Sequence, residues 1–348
     1  MNSSQNPLIV WTEKGLYCQA GNFYIDPHKA VEIAIVTHAH SDHARRGAKL
    51  YICEKSGVEL LKTRLGSKIN VVSYTYGEKF KLGSVIVSLH SAGHILGSAQ
   101  VRIESSDEVW VSSGDYKRDA DPSCEPFEPI QCDTFITEAT FGTPSFVWEK
   151  NLPHGQMIFD WWKECAKKNK NALLFGYSLG KAQRILAELA PFMKKPVLIH
   201  DSIHELTECY RRAGKHLAST MKVTEKIKTL SMGESFVGEL VLAPPSILKE
   251  SWSNQMGSYE TAFASGWMNG KNKGVHGQFY DQGFVMSDHA DWNDLNQTIV
   301  ETRAKRIYVQ HRNGALIRHL KKIGLEAYPI EKLNSELVES LSRQLNFL

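Results

Sequence analysis

The sequence lacks any long apolar run. No window approaches the roughly 18 consecutive apolar residues that a membrane-spanning helix needs, although 42% of the 348 residues are hydrophobic. The start, residues 1–7, is short and polar and lacks the basic-then-apolar order of a secretory signal peptide. We therefore expect a cytoplasmic protein that has no membrane partner.

Cysteine is scarce as well, with six residues in the chain, and no two of them form a CxxC pair. In a chain of this size, scattered cysteines are typical of buried, reduced thiols rather than of a disulfide framework or a zinc knuckle. The sequence therefore gives no reason to expect disulfides or cysteine-bound zinc.

An excess of charge is also absent, since the formal net charge is +3. This balance permits a nucleic-acid partner but does not require one, because affinity for phosphates depends on a local basic stripe rather than on the sum of charges. The length is about twice that of a typical single domain and predicts two structural units.

The pattern of apolar residues changes along the chain. Up to residue 137, short β-type runs such as residues 8–12 and 109–112 dominate, and glycine-containing turns separate them. From residue 153 the pattern alternates between helix and strand, which indicates a parallel sheet with helices on its faces. The sequence thus predicts an α/β protein whose two parts differ in architecture.

The segment of residues 37–43, Thr-His-Ala-His-Ser-Asp-His, follows an apolar strand and is dense in metal ligands. Imidazole and carboxylate groups suit zinc, and also manganese or iron. On an extended segment His38 and His40 point the same way, so both can bind one ion. If the chain then turns, Asp42 and His43 are presented to a second ion.

Two further candidate ligands follow later strands. His94 lies between Gly93 and Gly97, which allow tight backbone paths around it. Asp115 follows the apolar run of residues 109–112. Their position after strands, like that of the first cluster, favours a shared metal site over isolated surface residues.

These residues resemble the ordered motifs of the metallo-β-lactamase superfamily, and the chain further resembles its β-CASP nucleases. The superfamily motifs are an early aspartate, HxHxDH, a later histidine and a later aspartate, which here are Asp26, His38, His40, Asp42, His43, His94 and Asp115. The β-CASP motifs A, B and C match Glu138, His289 and His311.

The resemblance implies a four-layer αββα metallo-β-lactamase domain with an inserted α/β β-CASP domain. Residues 1–150 would form the N-terminal part of the metallo-β-lactamase domain and residues 266–348 its C-terminal part. Residues 151–265 would form the insertion, and the active site would lie in the cleft between the two domains.

Within the β-CASP nucleases, the chain is most similar to the bacterial ligase-associated DNA exonucleases, on segments 175–183, 242–246 and 264–268. This similarity implies a metal-dependent exonuclease of DNA repair that hydrolyses phosphodiester bonds by a two-metal hydroxide mechanism. It also implies DNA as the substrate, and a DNA ligase and a helicase of the same pathway as partners. The alternative is an exo- or endonuclease of the same family that processes RNA.

The resemblance also assigns roles to the site residues. Two divalent ions are expected, with zinc as the first choice and manganese as the alternative. The first ion is assigned to His38, His40 and His94, the second to Asp42, His43 and His311, and Asp115 bridges them.

The resemblance gives other roles to three further residues. Asp26 orients a ligand histidine, and His289 is the general acid with Glu138 as its hydrogen-bonding partner. The predicted catalytic residues are Asp42, Asp115, Glu138 and His289.

A phosphate site is predicted where Ser178, Gly180 and Lys181 open a helix. Free N–H groups at a helix N-terminus bind anions, and a hydroxyl and a cation lie beside them in the sequence. The alternative is a plain helix start without a ligand.

Overall fold

The chain, described by a computed structural model, divides into two compact units. The structure describes residues 7–231, 233–249, 256–270, 274–275, 278–310 and 314–334. The first unit comprises Met1–Arg118, Pro126–Phe146 and His289–Leu348, and the second comprises Asp119–Glu125 and Val147–Asp288.

The order of the secondary-structure elements follows the apolar pattern: strands dominate up to residue 137, and helices alternate with strands after residue 153. The strands are β1 (Ile9–Thr12), β2 (Gly15–Cys18), β3 (Phe23–Ile25), β4 (Val31–Ile35), β5 (Ala48–Glu54), β6 (Val71–Tyr74), β7 (Lys79–Leu82), β8 (Val85–Ser91), β9 (Ala99–Glu104), β10 (Val109–Ser112), β11 (Thr134–Thr137), β12 (Asn171–Phe175), β13 (Val197–Ile199), β14 (Thr220–Lys222), β15 (Leu240–Ala243), β16 (Tyr259–Ala264), β17 (Gly274–Val275), β18 (Gln278–Phe279), β19 (Gln282–Phe284), β20 (Arg306–Val309) and β21 (Glu326–Pro329). The α-helices are α1 (Val58–Leu65), α2 (His154–Lys167), α3 (Lys181–Leu189), α4 (Asp201–Arg212), α5 (Val223–Ile227), α6 (Trp292–Thr302) and α7 (Gly314–Lys322).

The first unit contains two sheets that share one apolar core. One sheet has the order β1-β2-β3-β4-β5-β6, and the other has the order β21-β20-β11-β10-β9-β8-β7. Ile35 and Ile52 of the first sheet belong to the same buried cluster as Val87, Val101 and Trp110 of the second, and none of them is more than 2% exposed. Burial of apolar side chains between the sheets is the main force that holds these two layers together.

Helices cover the outer faces of both sheets. Leu61 of α1 belongs to a buried cluster with Tyr51 of β5. On the other sheet, Leu295 of α6 and Leu316 of α7 belong to a cluster with Ile307 of β20. The order is therefore helix, sheet, sheet, helix, which confirms the predicted αββα architecture.

The larger sheet of the second unit has paired strands that all run parallel, and β17 and β18 form a separate antiparallel pair. The order of the larger sheet is β14-β13-β15-β12-β16-β19. Every residue of β12 is buried, as is typical of a strand covered on both faces. The alternating helix and strand pattern of this part of the sequence therefore forms the predicted parallel sheet.

The second unit extends further along the chain than residue 265, where the sequence places its end. Strand β19 pairs with β16 through Ala262 opposite Gln282 and Ala264 opposite Phe284. Because β19 completes this sheet, residues up to Asp288 belong to the second unit, and residues 119–125 belong to it as well. A three-residue strand has too little pattern to reveal its sheet from sequence alone.

Within the described residues, no helix has both the length and the apolar character required to cross a bilayer.

Candidate metal centre

The predicted site residues of the first unit lie just beyond the carboxyl ends of strands. Asp26 follows β3, and His38 is the third residue after β4. In the second sheet, His94, Asp115 and Glu138 come after β8, β10 and β11. Strand β9 is antiparallel to both β8 and β10, and β11 is parallel to β10, so β8, β10 and β11 all end at the same edge. The topology of the sheets therefore gathers residues that are far apart in sequence.

Four of these side chains converge on one point. His40 Nδ1 lies 3.1 Å from His38 Nε2 and 3.0 Å from His94 Nε2. Asp115 Oδ2 lies 3.5 Å from His38 Nε2 and 3.8 Å from His94 Nε2. Ligand atoms bound at about 2.0–2.2 Å in a tetrahedron stand about 3.3–3.6 Å apart, which is close to these separations. His38, His40, His94 and Asp115 thus form a set that can hold one metal ion.

The second carboxylate oxygen of Asp115 supports this assignment. Asp115 is 5% exposed, and its Oδ1 atom is buried without a hydrogen-bond partner among the described residues. A buried carboxylate oxygen with no partner is costly, because it has lost its hydration without a replacement. A cation bound at this point would supply the missing interaction, so the donor set fits a divalent metal.

A fourth histidine, His43, also approaches Asp115. His43 Nε2 lies 3.4 Å from Asp115 Oδ2. The carboxylate of Asp42 lies 3.8 Å from the same nitrogen and is 67% exposed. His311, the third residue predicted for a second ion, lies outside the described residues. The described part of the chain therefore brings His43 next to Asp115 and Asp42 next to His43, but it does not complete a second ligand set.

Asp26 fixes the orientation of His43. Its Oδ2 atom lies 2.7 Å from His43 Nδ1 and accepts the Thr37 hydroxyl at 2.6 Å, while Oδ1 accepts the Thr37 backbone N–H at 2.8 Å. Asp26 has φ of +45°, a left-handed conformation that aspartate tolerates better than most residues. With Nδ1 held by Asp26, the Nε2 atom of His43 is turned towards Asp115, which is the geometry of a carboxylate that orients a metal-binding histidine.

Burial and neighbouring charges shift the pKa values of the residues in this cluster in different directions. Burial lowers the pKa of His38 well below its usual value, and the neighbouring imidazoles His43 and His94 add to the effect. Burial would also lower the pKa of His43, but the carboxylates of Asp115 and Asp26 outweigh it and raise that pKa well above its usual value. Burial opposes ionisation of Asp115, yet the adjacent histidines hold its pKa well below its usual range. His38 is therefore neutral, which is the form that binds metals.

A histidine–glutamate pair stands beside the cluster. His289 Nδ1 lies 3.0 and 3.1 Å from the two carboxylate oxygens of Glu138 and 4.0 Å from Asp115 Oδ2. Glu138 is fully buried and also accepts the Tyr116 backbone N–H at 2.7 Å and the Thr140 hydroxyl at 2.6 Å. These contacts fix the carboxylate, and the carboxylate in turn fixes the imidazole, whose side chain is 23% exposed.

The phosphate site predicted at the start of α3 does not fit the structure. Lys181 is 2% exposed, and its ammonium donates to the Met286 carbonyl and, at 2.7 Å, to the Asp288 carboxylate. The Gly180 N–H donates to the side chain of Gln183 at 2.8 Å. Both groups are directed at partners within the second unit, so neither the cation nor this N–H is presented to a phosphate. Ser178, the remaining member, lies 3.1 Å from the Ser202 hydroxyl, oxygen to oxygen.

A cavity of about 600 Å³ opens beside His43 in the first unit. Its lining includes Asp26, Asp42 and His43, together with Trp11 and Arg45. This volume is in the range of cavities that hold small ligands, so the space beside Asp42 and His43 is large enough for part of a substrate.

Among the known proteins of similar sequence, one is named as a DNA ligase and others are named as ribonucleases. A protein named "Probable DNA ligase" from Opitutus terrae is 29% identical over 331 residues, which cover 94% of this chain and 32% of that protein. A ribonuclease from Thermus thermophilus is 29% identical over 147 residues, or 34% of each chain. An RNase from Saccharolobus solfataricus is 26% identical over 209 residues, which cover 50% of this chain and 41% of that protein. The chain spans about a third of the length of the first two relatives.

The chain resembles the β-CASP nucleases, as its motifs predict. No protein-family model matches it. A crystal structure of a protein of unknown function from Enterococcus faecalis superimposes with a TM-score of 0.54 and 12% identity, covering 85% of this chain and 78% of that one. At this identity the likeness shows the fold alone. The pair beside the cluster brings together Glu138 and His289, the residues that the sequence analysis matches to motifs A and B.

Gly114 lets the loop that carries Asp115 pack against Thr37. It has φ of +56°, and a Cβ atom there would lie 2.8 Å from Thr37 Cβ and 2.9 Å from Thr37 Oγ1. Gly114→Ala should therefore combine left-handed strain of about 1–2 kcal/mol with overpacking of about 1–3 kcal/mol. The measurement is the free energy of unfolding of metal-free protein by denaturant titration.

Gly77→Ala is the matched control, because Gly77 has φ of +76° and a Cβ atom added to it would meet no described atom within 4 Å. It should show the left-handed strain alone. Equal losses of stability in the two variants would contradict close packing of Gly114 against Thr37.

Proposed function

We propose that this β-CASP relative is a metal-dependent phosphodiesterase that acts as a DNA exonuclease in DNA repair. The observation that carries the proposal is the convergence of three histidines on Asp115, whose Oδ1 atom is buried without a partner among the described residues. A histidine–glutamate pair suited to proton transfer lies within 4.0 Å of the same carboxylate. A metal site and an acid in this proximity fit the hydrolysis of a phosphodiester.

The proposal assigns the metal ligands as the motifs imply. His38, His40 and His94 would hold one ion, Asp42 and His43 a second ion together with His311, and Asp115 would bridge them. When bound, divalent ions such as zinc or manganese supply Lewis-acid stabilisation of the phosphate charge and lower the pKa of water towards ~7. Asp26 contributes by holding Nε2 of His43 in the direction of the site, through the 2.7 Å contact with its Nδ1.

His289 is proposed as the general acid that protonates the departing sugar oxygen. Its Nδ1 atom faces the Glu138 carboxylate at 3.0 Å, so Glu138 stabilises the protonated imidazole and fixes its tautomer. The proton for the leaving group would then come from Nε2. The engagement of Nδ1 with Glu138 also argues against this nitrogen as a metal ligand.

DNA is the proposed substrate because the similarity to the protein named as a DNA ligase covers 94% of this chain. A segment similar to this whole chain thus occurs within a protein named for joining DNA, which supports a DNA ligase as a partner. RNA is the second candidate, because the other reported relatives are named as ribonucleases.

The substrate prediction can be tested with matched DNA and RNA oligonucleotides labelled at either end. Metal-loaded protein should shorten the DNA progressively from one terminus and cleave RNA of the same sequence more slowly, and the product ladder will give the direction. Faster cleavage of RNA would transfer the proposal to the second candidate, and internal cuts would contradict an exonuclease.

The metal prediction is two transition-metal ions in each fully loaded chain, measured by elemental analysis. His40→Ala should lower the metal content, because it removes a nitrogen within 3.1 Å of two other candidate ligand atoms. His90→Ala is the control in the same unit, since His90 contacts Ser88 and Glu128 instead, and should retain full metal content. One equivalent or less in the wild type would rule out a two-ion site.

The acid prediction concerns His289→Ala. This variant should lower kcat by ~10²–10⁴ while its metal content stays unchanged, because a general acid contributes about this factor without binding the metal. Metal analysis and steady-state kinetics on the same preparation separate the two effects. Loss of metal from the variant would make His289 a ligand and refute its assignment as the acid.

A further inference from the structure

The four residues before His289 are held by polar side chains of the helices α2 and α3. Three successive backbone carbonyls in this segment, residues 285–288, each accept a hydrogen bond, and the carboxylate of the fourth residue accepts another. The contacts are His154 Nε2 to the Val285 carbonyl at 2.9 Å, Lys181 Nζ to the Met286 carbonyl, Arg184 Nη1 to the Ser287 carbonyl at 2.6 Å, and Lys181 Nζ to the Asp288 carboxylate at 2.7 Å. We call this set of contacts the 285–288 anchor.

The charged groups of the anchor are buried and paired. The side chains of Lys181, Arg184 and Asp288 are 2%, 3% and 7% exposed. Arg184 also lies 3.0 Å from the carboxylate of Glu188 and 3.8 Å from that of Asp121. Charge-assisted hydrogen bonds in a buried setting are strong and directional, so the backbone of residues 285–288 is held firmly.

We propose that the 285–288 anchor positions His289 for proton transfer and that Lys181 is its main positioning residue. This inference rests on the proposed function, in which His289 is the general acid. Residue 289 follows Asp288 through one peptide bond, so the bonds that Lys181 makes to residues 286 and 288 restrict the backbone from which the imidazole extends. Lys181 bonds the carbonyl of residue 286 and the carboxylate of residue 288, so its proposed effect on His289 is transmitted through this segment.

Proton transfer by His289 requires that its imidazole be held in a precise position. Catalytic groups must be held within about 0.5 Å and 10–20° of their productive geometry, and a displacement of about 1 Å can cost 10²-fold in rate. Glu138 restrains only the imidazole end of His289, whereas the anchor restrains the chain just before its Cα. Loss of Lys181 removes bonds to two of the four residues of the segment, including the 2.7 Å bond to the buried Asp288 carboxylate.

The test compares two substrates that differ in their need for an acid. An oligonucleotide releases a sugar alkoxide, which must be protonated as it leaves, whereas bis(p-nitrophenyl) phosphate releases a stable phenolate that needs no proton. Lys181→Met should lower kcat on the oligonucleotide by about 10- to 100-fold and change kcat on bis(p-nitrophenyl) phosphate by less than about threefold. His289→Ala, measured in parallel, should show the same selectivity with a larger loss.

Two variants keep the result interpretable. Asn171→Ala removes a fully buried side chain that bonds the Phe236 carbonyl and the Glu239 N–H in the second unit but is not part of the anchor. It should lower stability without any selectivity between the substrates.

The double variant Lys181→Met with Asp288→Asn removes the buried carboxylate charge together with the cation that neutralises it. It should recover stability and keep the selective loss, and it replaces the single variant if that one does not fold.

The outcomes distinguish failure of the anchor's role from failure of the acid assignment and of the proposed function. An equal loss on both substrates, or no loss on either, would overturn the role of the anchor while the selectivity of His289→Ala still supported the acid. Absence of selectivity in His289→Ala would overturn the acid assignment and the anchor with it. Absence of hydrolysis of both substrates by the metal-loaded wild type would overturn the proposed function itself.

Discussion

The buried carboxylate of Asp115 is the group on which the candidate site depends. It lies within 4.0 Å of ring nitrogens from four histidines, and these come from three separate stretches of the chain. Such a concentration of imidazoles around one carboxylate is stable only if charge is balanced locally, because water is excluded. The carboxylates of Asp115 and Asp26 raise the pKa of His43, which favours a positive charge beside Asp115. A bound metal ion would supply positive charge at the same place, so metal binding would be coupled to folding.

The sheets of the first unit make this concentration possible. The strands that precede His94, Asp115 and Glu138 end at one edge, and the segments that follow them are closely packed. Gly114 shows how tight this packing is, since an added Cβ atom there would collide with Thr37, whose N–H and hydroxyl both bind Asp26. A larger residue at position 114 would therefore press on Thr37 and, through its bonds to Asp26, on the carboxylate that orients His43.

Much of this arrangement could be predicted from the sequence, and the failures have a physical cause. The grouping of residues 38–43 with His94 and Asp115 could be predicted because each follows a strand and carries a ligand type, and the αββα layers could be predicted from the motif order. The fate of Lys181 could not, because a lysine at a helix start points to solvent or to the interior according to tertiary contacts. Its burial depends on Asp288, more than a hundred residues later. Likewise, the extent of the second unit depended on the pairing of β19, a three-residue strand.

The position of β20 in its sheet has a consequence for synthesis on the ribosome. Strand β20 lies between β11 and β21, yet it emerges only after the whole second unit has been translated. At about 5–20 residues per second, the edge of β11 waits for its partner for on the order of ten seconds. All four residues of β11 are buried in the finished sheet, so during this interval an apolar strand edge is open to wrong pairing. Slow translation or a delayed second unit would extend that interval, and chaperone demand should therefore be set by the first unit, most of which is synthesised before the second unit but which is completed only after it.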